Sequence, residues 1–110
     1  MLNLSPRVRV FVARGPTDMR RSFDRLAAEV ETVLRQDPFS GHVFCFFNRR
    51  RDRAKLLVWE RGGFWLHYKR LEEGTFAATE HVEVSPRDLY LLLEGIEVVR
   101  ERVRYERPVG

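Results

Sequence analysis

Cysteine is nearly absent: Cys45 stands alone among 110 residues. A single thiol excludes an internal disulfide framework and any multi-cysteine zinc site. His42, His67 and His81 show no metal-ligand spacing, and there is no HExxH or CxxC string. No glycine-rich loop of either common phosphate-cradling type is present. No apolar run approaches the roughly 18–20 residues of a membrane-spanning helix. The opening string MLNLSPRVRV lacks the apolar centre of a secretory leader. These absences predict a reduced, cytoplasmic protein without catalytic residues, metal, cofactor or membrane contact. Lysine is scarce as well. Lys55 and Lys69 stand beside 18 arginines, and arginine favours bidentate contact with phosphate or carboxylate and stacking on rings.

What remains is the composition of one globular domain spanning 1–110, with 97–110 as an arginine-rich tail. Hydrophobic residues make up 44% of the chain, against 20 Lys/Arg and 16 Asp/Glu, for a net charge of +4. That charge is local. Residues 49–55 carry five positive side chains and one negative, a net +4, and the other 103 residues balance to zero.

Hydrophobic periodicity orders the elements. In RVRVFVA (7–13), Val8, Val10 and Val12 fall on one side, which predicts a strand with one buried face. Gly15-Pro16 breaks it. From Thr17 to Gln36 the apolar residues Met19, Phe23, Leu26, Ala27, Val30, Val33 and Leu34 recur at helical spacing. This predicts one long helix capped by Thr17 or Asp18, with Arg20/Asp24, Arg25/Glu29 and Glu31/Arg35 paired on its wet side. Asp37-Pro38 ends it. Three short runs rich in aromatic and β-branched residues follow, HVFCFF (42–47), KLLVW (55–59) and FWLHY (64–68), and predict an antiparallel meander. The runs barely alternate, so the sheet is expected to be covered on both faces. HVEVS (81–85) predicts a last strand. Ser85-Pro86-Arg87-Asp88 predicts a helix start, with Leu89, Leu92, Leu93 and Ile96 on its buried side. The fold class is α+β: a single domain with an antiparallel meander packed against one long helix, plus a short C-terminal helix. Periodicity does not distinguish strand, helix and disorder in the tail.

The turn over 48–55 is the densest charge cluster. Arg49, Arg50, Arg51, Arg53 and Lys55 at a hairpin tip suit a run of phosphates. The competing reading is a solvated loop that keeps the hairpin soluble. In a meander the end of the third strand lies beside the start of the second, so Lys69 and Arg70 join the same basic edge. The rings of Trp59, Trp65 and Tyr68 are candidates for base stacking or, more ordinarily, for the core. Cys45 lies inside an apolar strand and reads as a small buried hydrophobe.

The strings GPTDMRRSFD (15–24), DPFSG (37–41), FNRRRDRAKLLVWERGGFWLHYKRLEEGTF (47–76) and LYLLLEGIE (89–97) together resemble one family. It is the small accessory protein, often labelled TnpB, of the second open reading frame of insertion-sequence-sixty-six transposons. The likeness runs from Val8 to Ile96. It implies a bacterial mobile-element protein that assists transposition beside a separate, larger transposase. The family's basic motif falls on Asn48, Arg49, Arg50, Asp52, Arg53 and Lys55, and its YKRL on Tyr68–Leu71. Ala54 stands where a bulkier residue is expected. The resemblance and the basic turn together lead to DNA at transposon ends, and the cognate transposase, as expected partners, with localisation at the nucleoid. Arg49, Arg50, Arg51, Arg53, Lys55, Lys69 and Arg70 are the expected contact residues. The alternatives are a module that docks on the transposase without touching nucleic acid, and RNA binding through the sheet face.

Overall fold

The computed structural model describes residues 4–95. Seven elements follow in order: β1 (Val10–Val12), α1 (Phe23–Thr32), β2 (Val43–Phe47), β3 (Arg53–Glu60), β4 (Gly63–Arg70), β5 (Glu83–Val84) and α2 (Pro86–Leu93). They form a five-stranded sheet in the order β4-β3-β2-β1-β5. The expected meander is β2-β3-β4, antiparallel throughout. β1 joins it parallel to β2, as a strand–helix–strand crossover requires, and β5 closes the other side antiparallel to β1.

The sheet is covered on both faces. Val10, Val12, Val43, Cys45, Phe47, Ala54 and Leu56 pack with Phe76 and with Leu89, Leu92 and Leu93 of α2. Phe11, Ala13, Phe44, Phe46 and Leu57 point the other way, onto Leu26 and Val30 of α1. This corrects the reading of 7–13 as a strand with one buried face. β1 lies inside the sheet, so Phe11 is as enclosed as Val10 and Val12. Ala54 is fully buried opposite Phe47, and its small side chain leaves room for that ring.

The long helix expected over 17–36 is a correction. α1 has 10 residues. Thr17 N–H donates to the Phe47 carbonyl (2.8 Å), which ties the chain to the end of β2. The Asp18 carboxylate accepts from the Arg20 N–H (2.9 Å), and the Asp18 carbonyl accepts from the Arg21 N–H (3.1 Å). These tertiary and turn bonds outcompete a helical first turn. The N-cap is Ser22, in extended conformation, not Thr17 or Asp18. At the other end Arg35 adopts a left-handed φ of 57°, which stops the helix. Of the expected apolar face, Leu26 and Val30 are buried, whereas Phe23 and Val33 are 43% and 64% exposed. None of the three expected i,i+4 ion pairs forms among the described residues. Arg20 pairs with Asp18 (2.7 Å), and Arg21 with Glu29. In α2 the Ser85 hydroxyl accepts from the Asp88 N–H (3.0 Å) behind Pro86 at the first turn, as expected. Ile96 and the 97–110 tail lie outside the described residues.

Candidate nucleic-acid interface

The β2–β3 turn is built around Asn48. Its carbonyl oxygen accepts from the N–H groups of Asp52 (3.1 Å) and Arg53 (2.9 Å), and its amide donates to the Asp52 carboxylate (2.7 Å). Arg51 takes the left-handed position, at φ 59°. The Asn48 amide, with Arg50 and Arg53 nearby, holds the Asp52 carboxyl below the usual range. The single acid of the turn is therefore committed to shaping it.

The five cations of 49–55 then separate by role. Lys55 is 6% exposed, and its ammonium donates to the carbonyls of Met19 (2.7 Å) and Arg21 (2.6 Å). It also stands 4.8 Å from the Tyr68 ring centroid. Arg51 lies 4.4 Å over the Phe47 ring and donates to the carbonyls of Phe76 and Ala77, and burial lowers its pKa. Both cations satisfy the protein's own backbone, Lys55 buried and Arg51 half-buried. Arg49 and Arg50 are exposed at the tip, and Arg53 is half-buried beside it. Lys69 and Arg70 do reach the same edge, since Ala54 pairs with Lys69 and Arg53 with Arg70. Successive residues of a strand face opposite ways, however, so the two diverge. Arg70 shares the α1 face with Arg53. Lys69 lies on the α2 face, where its ammonium donates to the Leu93 carbonyl (3.4 Å) at the negative end of α2.

Tertiary structure adds cations that charge counting along the chain missed. The Lys55 bonds hold the 17–22 segment against the turn, and a groove of about 430 Å³ runs between them, lined by Thr17, Asp18, Met19, Asn48, Arg49, Arg50, Asp52 and Arg53. Arg20 and Arg21 line a neighbouring recess that shares Asp18 with this groove, and Arg14 with Gly15 and Pro16 lines a smaller recess next to Arg49 and Arg51. Arg20 is 91% exposed at its side chain, and its guanidinium lowers the Asp18 pKa through their hydrogen bonds. The sequence signal for this loop was the Gly15-Pro16 break, which precedes the arginines directly. The helical spacing of Met19 and Phe23 obscured it.

Other candidate groups have structural partners. The His42 ring nitrogen Nδ1 accepts from the Arg9 N–H (3.0 Å). Burial pushes the Cys45 thiol well above its ordinary pKa, which suits an inert side chain. Among the described residues no group of three or more His, Cys, Asp or Glu is placed to hold a metal, and no helix is long and apolar enough to cross a membrane. Trp59 sits in a cluster with Phe39 and Phe64, at centroid distances of 4.9 and 5.0 Å. Trp65 and Tyr68 are 58% and 52% exposed on opposite faces of β4.

The geometry defines a small α+β domain whose sheet end gathers exposed arginines around a groove. Residues 8–103 match the family described as IS66 Orf2 like protein, and the chain belongs to that family of insertion-sequence accessory proteins. Two proteins of Sinorhizobium fredii are similar over nearly their whole lengths. The uncharacterized protein y4jC is 34% identical over 113 residues, covering 98% of this chain and 97% of the relative. The uncharacterized protein y4hO is 39% identical over 102 residues, covering 88% of each. No solved structure matches.

Proposed function

We propose that the protein is a non-catalytic, DNA-binding accessory subunit of its insertion sequence, acting on element ends beside the cognate transposase in the cytoplasm at the nucleoid. The observation that carries this reading is the convergence of two arginine-bearing segments, 14–21 and 49–53, on one end of the sheet. Arg49, Arg50 and Arg53 contact phosphates, with Arg14, Arg20 and Arg21 flanking them and Arg70 extending the surface. Arg51 and Lys55 hold the two segments in place, and Lys69 contributes from the far face. Arginine suits this task because its fork of donors matches phosphate oxygens.

A salt titration of binding to element-end DNA tests the reading. Three phosphate contacts on duplex DNA give a slope of log K against log salt of about −2.7. Replacing Arg49, Arg50 and Arg53 with alanine flattens the slope by that amount. Unchanged affinity and slope in the triple variant sink the assignment. Pull-down with purified transposase, with and without nuclease, tests the partner, because an association that vanishes with nuclease was bridged by DNA.

A further inference from the structure

Arg53 and Arg70 stand directly opposite each other across the β3–β4 ladder. Like charges in that position repel and cost stability, so the pair is explained best by an anion that it holds. Tyr68 stands on the same face, two positions from Arg70 along β4 and opposite Lys55. Arg53 Nη1 donates to the Tyr68 oxygen (3.4 Å), and the phenol O–H has no acceptor of its own among the described residues. Together the three side chains line an open recess of about 300 Å³. Glu72 pairs with Arg70 Nε (3.0 Å) from a side chain 75% exposed. Such a pair is weak and solvent-screened, and it leaves the terminal nitrogens of Arg70 for a ligand.

The Tyr68 ring adds a second kind of contact. Lys55 stands against the side of the ring towards β3. β4 is the sheet edge, so no strand flanks the other side, and the ring is 52% exposed. A cation beneath an open aromatic surface, beside two guanidinium groups, matches the chemistry of an unpaired nucleotide: phosphate on arginine, base on ring. In a duplex the bases are stacked on each other, so only an unpaired base can lie on Tyr68.

Resting on the DNA-binding reading above, we propose that Arg53, Tyr68 and Arg70 form a subsite for one nucleotide of unpaired DNA. The two arginines and the phenol hydroxyl hold its phosphate, and the Tyr68 ring carries its base. Trp65 lies on the other sheet face and takes no part.

The test is binding of the full chain to four probes at one fixed salt: an oligothymidine strand, an abasic strand of the same length, a blunt duplex and an oligouridine strand. Tyr68→Ala lowers affinity for oligothymidine roughly 5- to 150-fold, the range that one stacked base gives. The abasic strand loses only the one phenol–phosphate contact and weakens less than oligothymidine, and the duplex is unchanged. Tyr68→Phe, which keeps the ring and the fold, retains the preference for oligothymidine over the abasic strand. Arg70→Gln weakens oligothymidine and the abasic strand alike. Equal binding of oligothymidine and the abasic strand by the wild-type protein overturns the subsite, as does equal binding of oligothymidine by wild type and Tyr68→Ala. Tighter binding of oligouridine than oligothymidine overturns its assignment to DNA. Salt-dependent duplex binding alongside either failure leaves the wider DNA reading standing. No binding in any arm refutes both.

Discussion

Two groups of cations share seven residues of one turn, and they do opposite work. Lys55 and Arg51 donate to the protein's own backbone carbonyls and stand against aromatic rings, Lys55 buried and Arg51 half-buried. Arg49 and Arg50 project outward with no ion pair among the described residues, and Arg53 lies between the two groups. Charge alone does not separate them. Position on the strand does, because Lys55 points under the 17–22 segment and Arg51 occupies the left-handed corner that aims it at residues 76–77. The inward pair builds the platform, and the outward arginines are displayed on it.

The comparison can be broken from either side. The largest effect is expected on the outward side. Replacing Arg49, Arg50 and Arg53 with alanine lowers affinity for duplex DNA about 100-fold or more near 0.1 M salt, from the loss of three phosphate contacts. Thermal stability falls by no more than about 1 kcal/mol, since Arg49 and Arg50 are exposed and only Arg53 is half-buried. Filter binding and a thermal melt of the same samples check both halves.

On the inward side, Lys55→Met keeps the aliphatic stem but leaves the Met19 and Arg21 carbonyls without their donor. The expected loss is about 2–3 kcal/mol in chemical denaturation, since each part-buried unsatisfied group costs roughly 1–3 kcal/mol. Arg51→Leu is expected to cost about 1–2 kcal/mol through the Phe76 and Ala77 carbonyls. Affinity for DNA then falls only as far as the turn loses its shape. A full loss of DNA binding by Arg51→Leu in a protein that melts like wild type would contradict the division of roles.

Acid gives a smaller and graded effect. The Asp52 carboxyl is held below its ordinary pKa by Asn48. A depressed carboxylate contributes stability above its unfolded pKa, and that contribution is lost as pH falls through the folded value. Denaturation midpoints therefore decline below roughly pH 4, and Asp52→Asn flattens part of that decline. The smallest effect concerns Cys45. Its raised pKa and full burial predict no alkylation of the native protein in mildly alkaline buffer and rapid alkylation after unfolding.

Much of this was legible in the chain. The meander, the Ser85 cap and the two-sided cover of the sheet follow from short apolar runs and local turn chemistry. The start of α1 was not. Met19 and Phe23 have helical spacing, yet the backbone at Thr17 is claimed by Phe47, a residue 30 positions away. Similarly, Arg20 reads as the wet face of a helix, whereas that hydrogen bond and the Lys55 clamp hold the 17–21 segment against the turn that carries Arg49 and Arg50. Lys69 and Arg70 were correctly placed at the edge, but their divergence to opposite faces depends on register.

The sequence by itself determined the family, the α+β class and the concentration of all net charge in residues 49–55. Those properties depend on composition and on patterns within a few residues. Only the tertiary structure decided which of the charges are committed to the protein's own backbone. Solvation depends on what packs over a side chain, and the groups that cover Lys55 and Arg51 come from segments about 25 to 35 residues distant in the chain. The same long-range packing brought the 14–19 segment beside the turn, and strand register set Arg53 opposite Arg70 with Tyr68 on the same face.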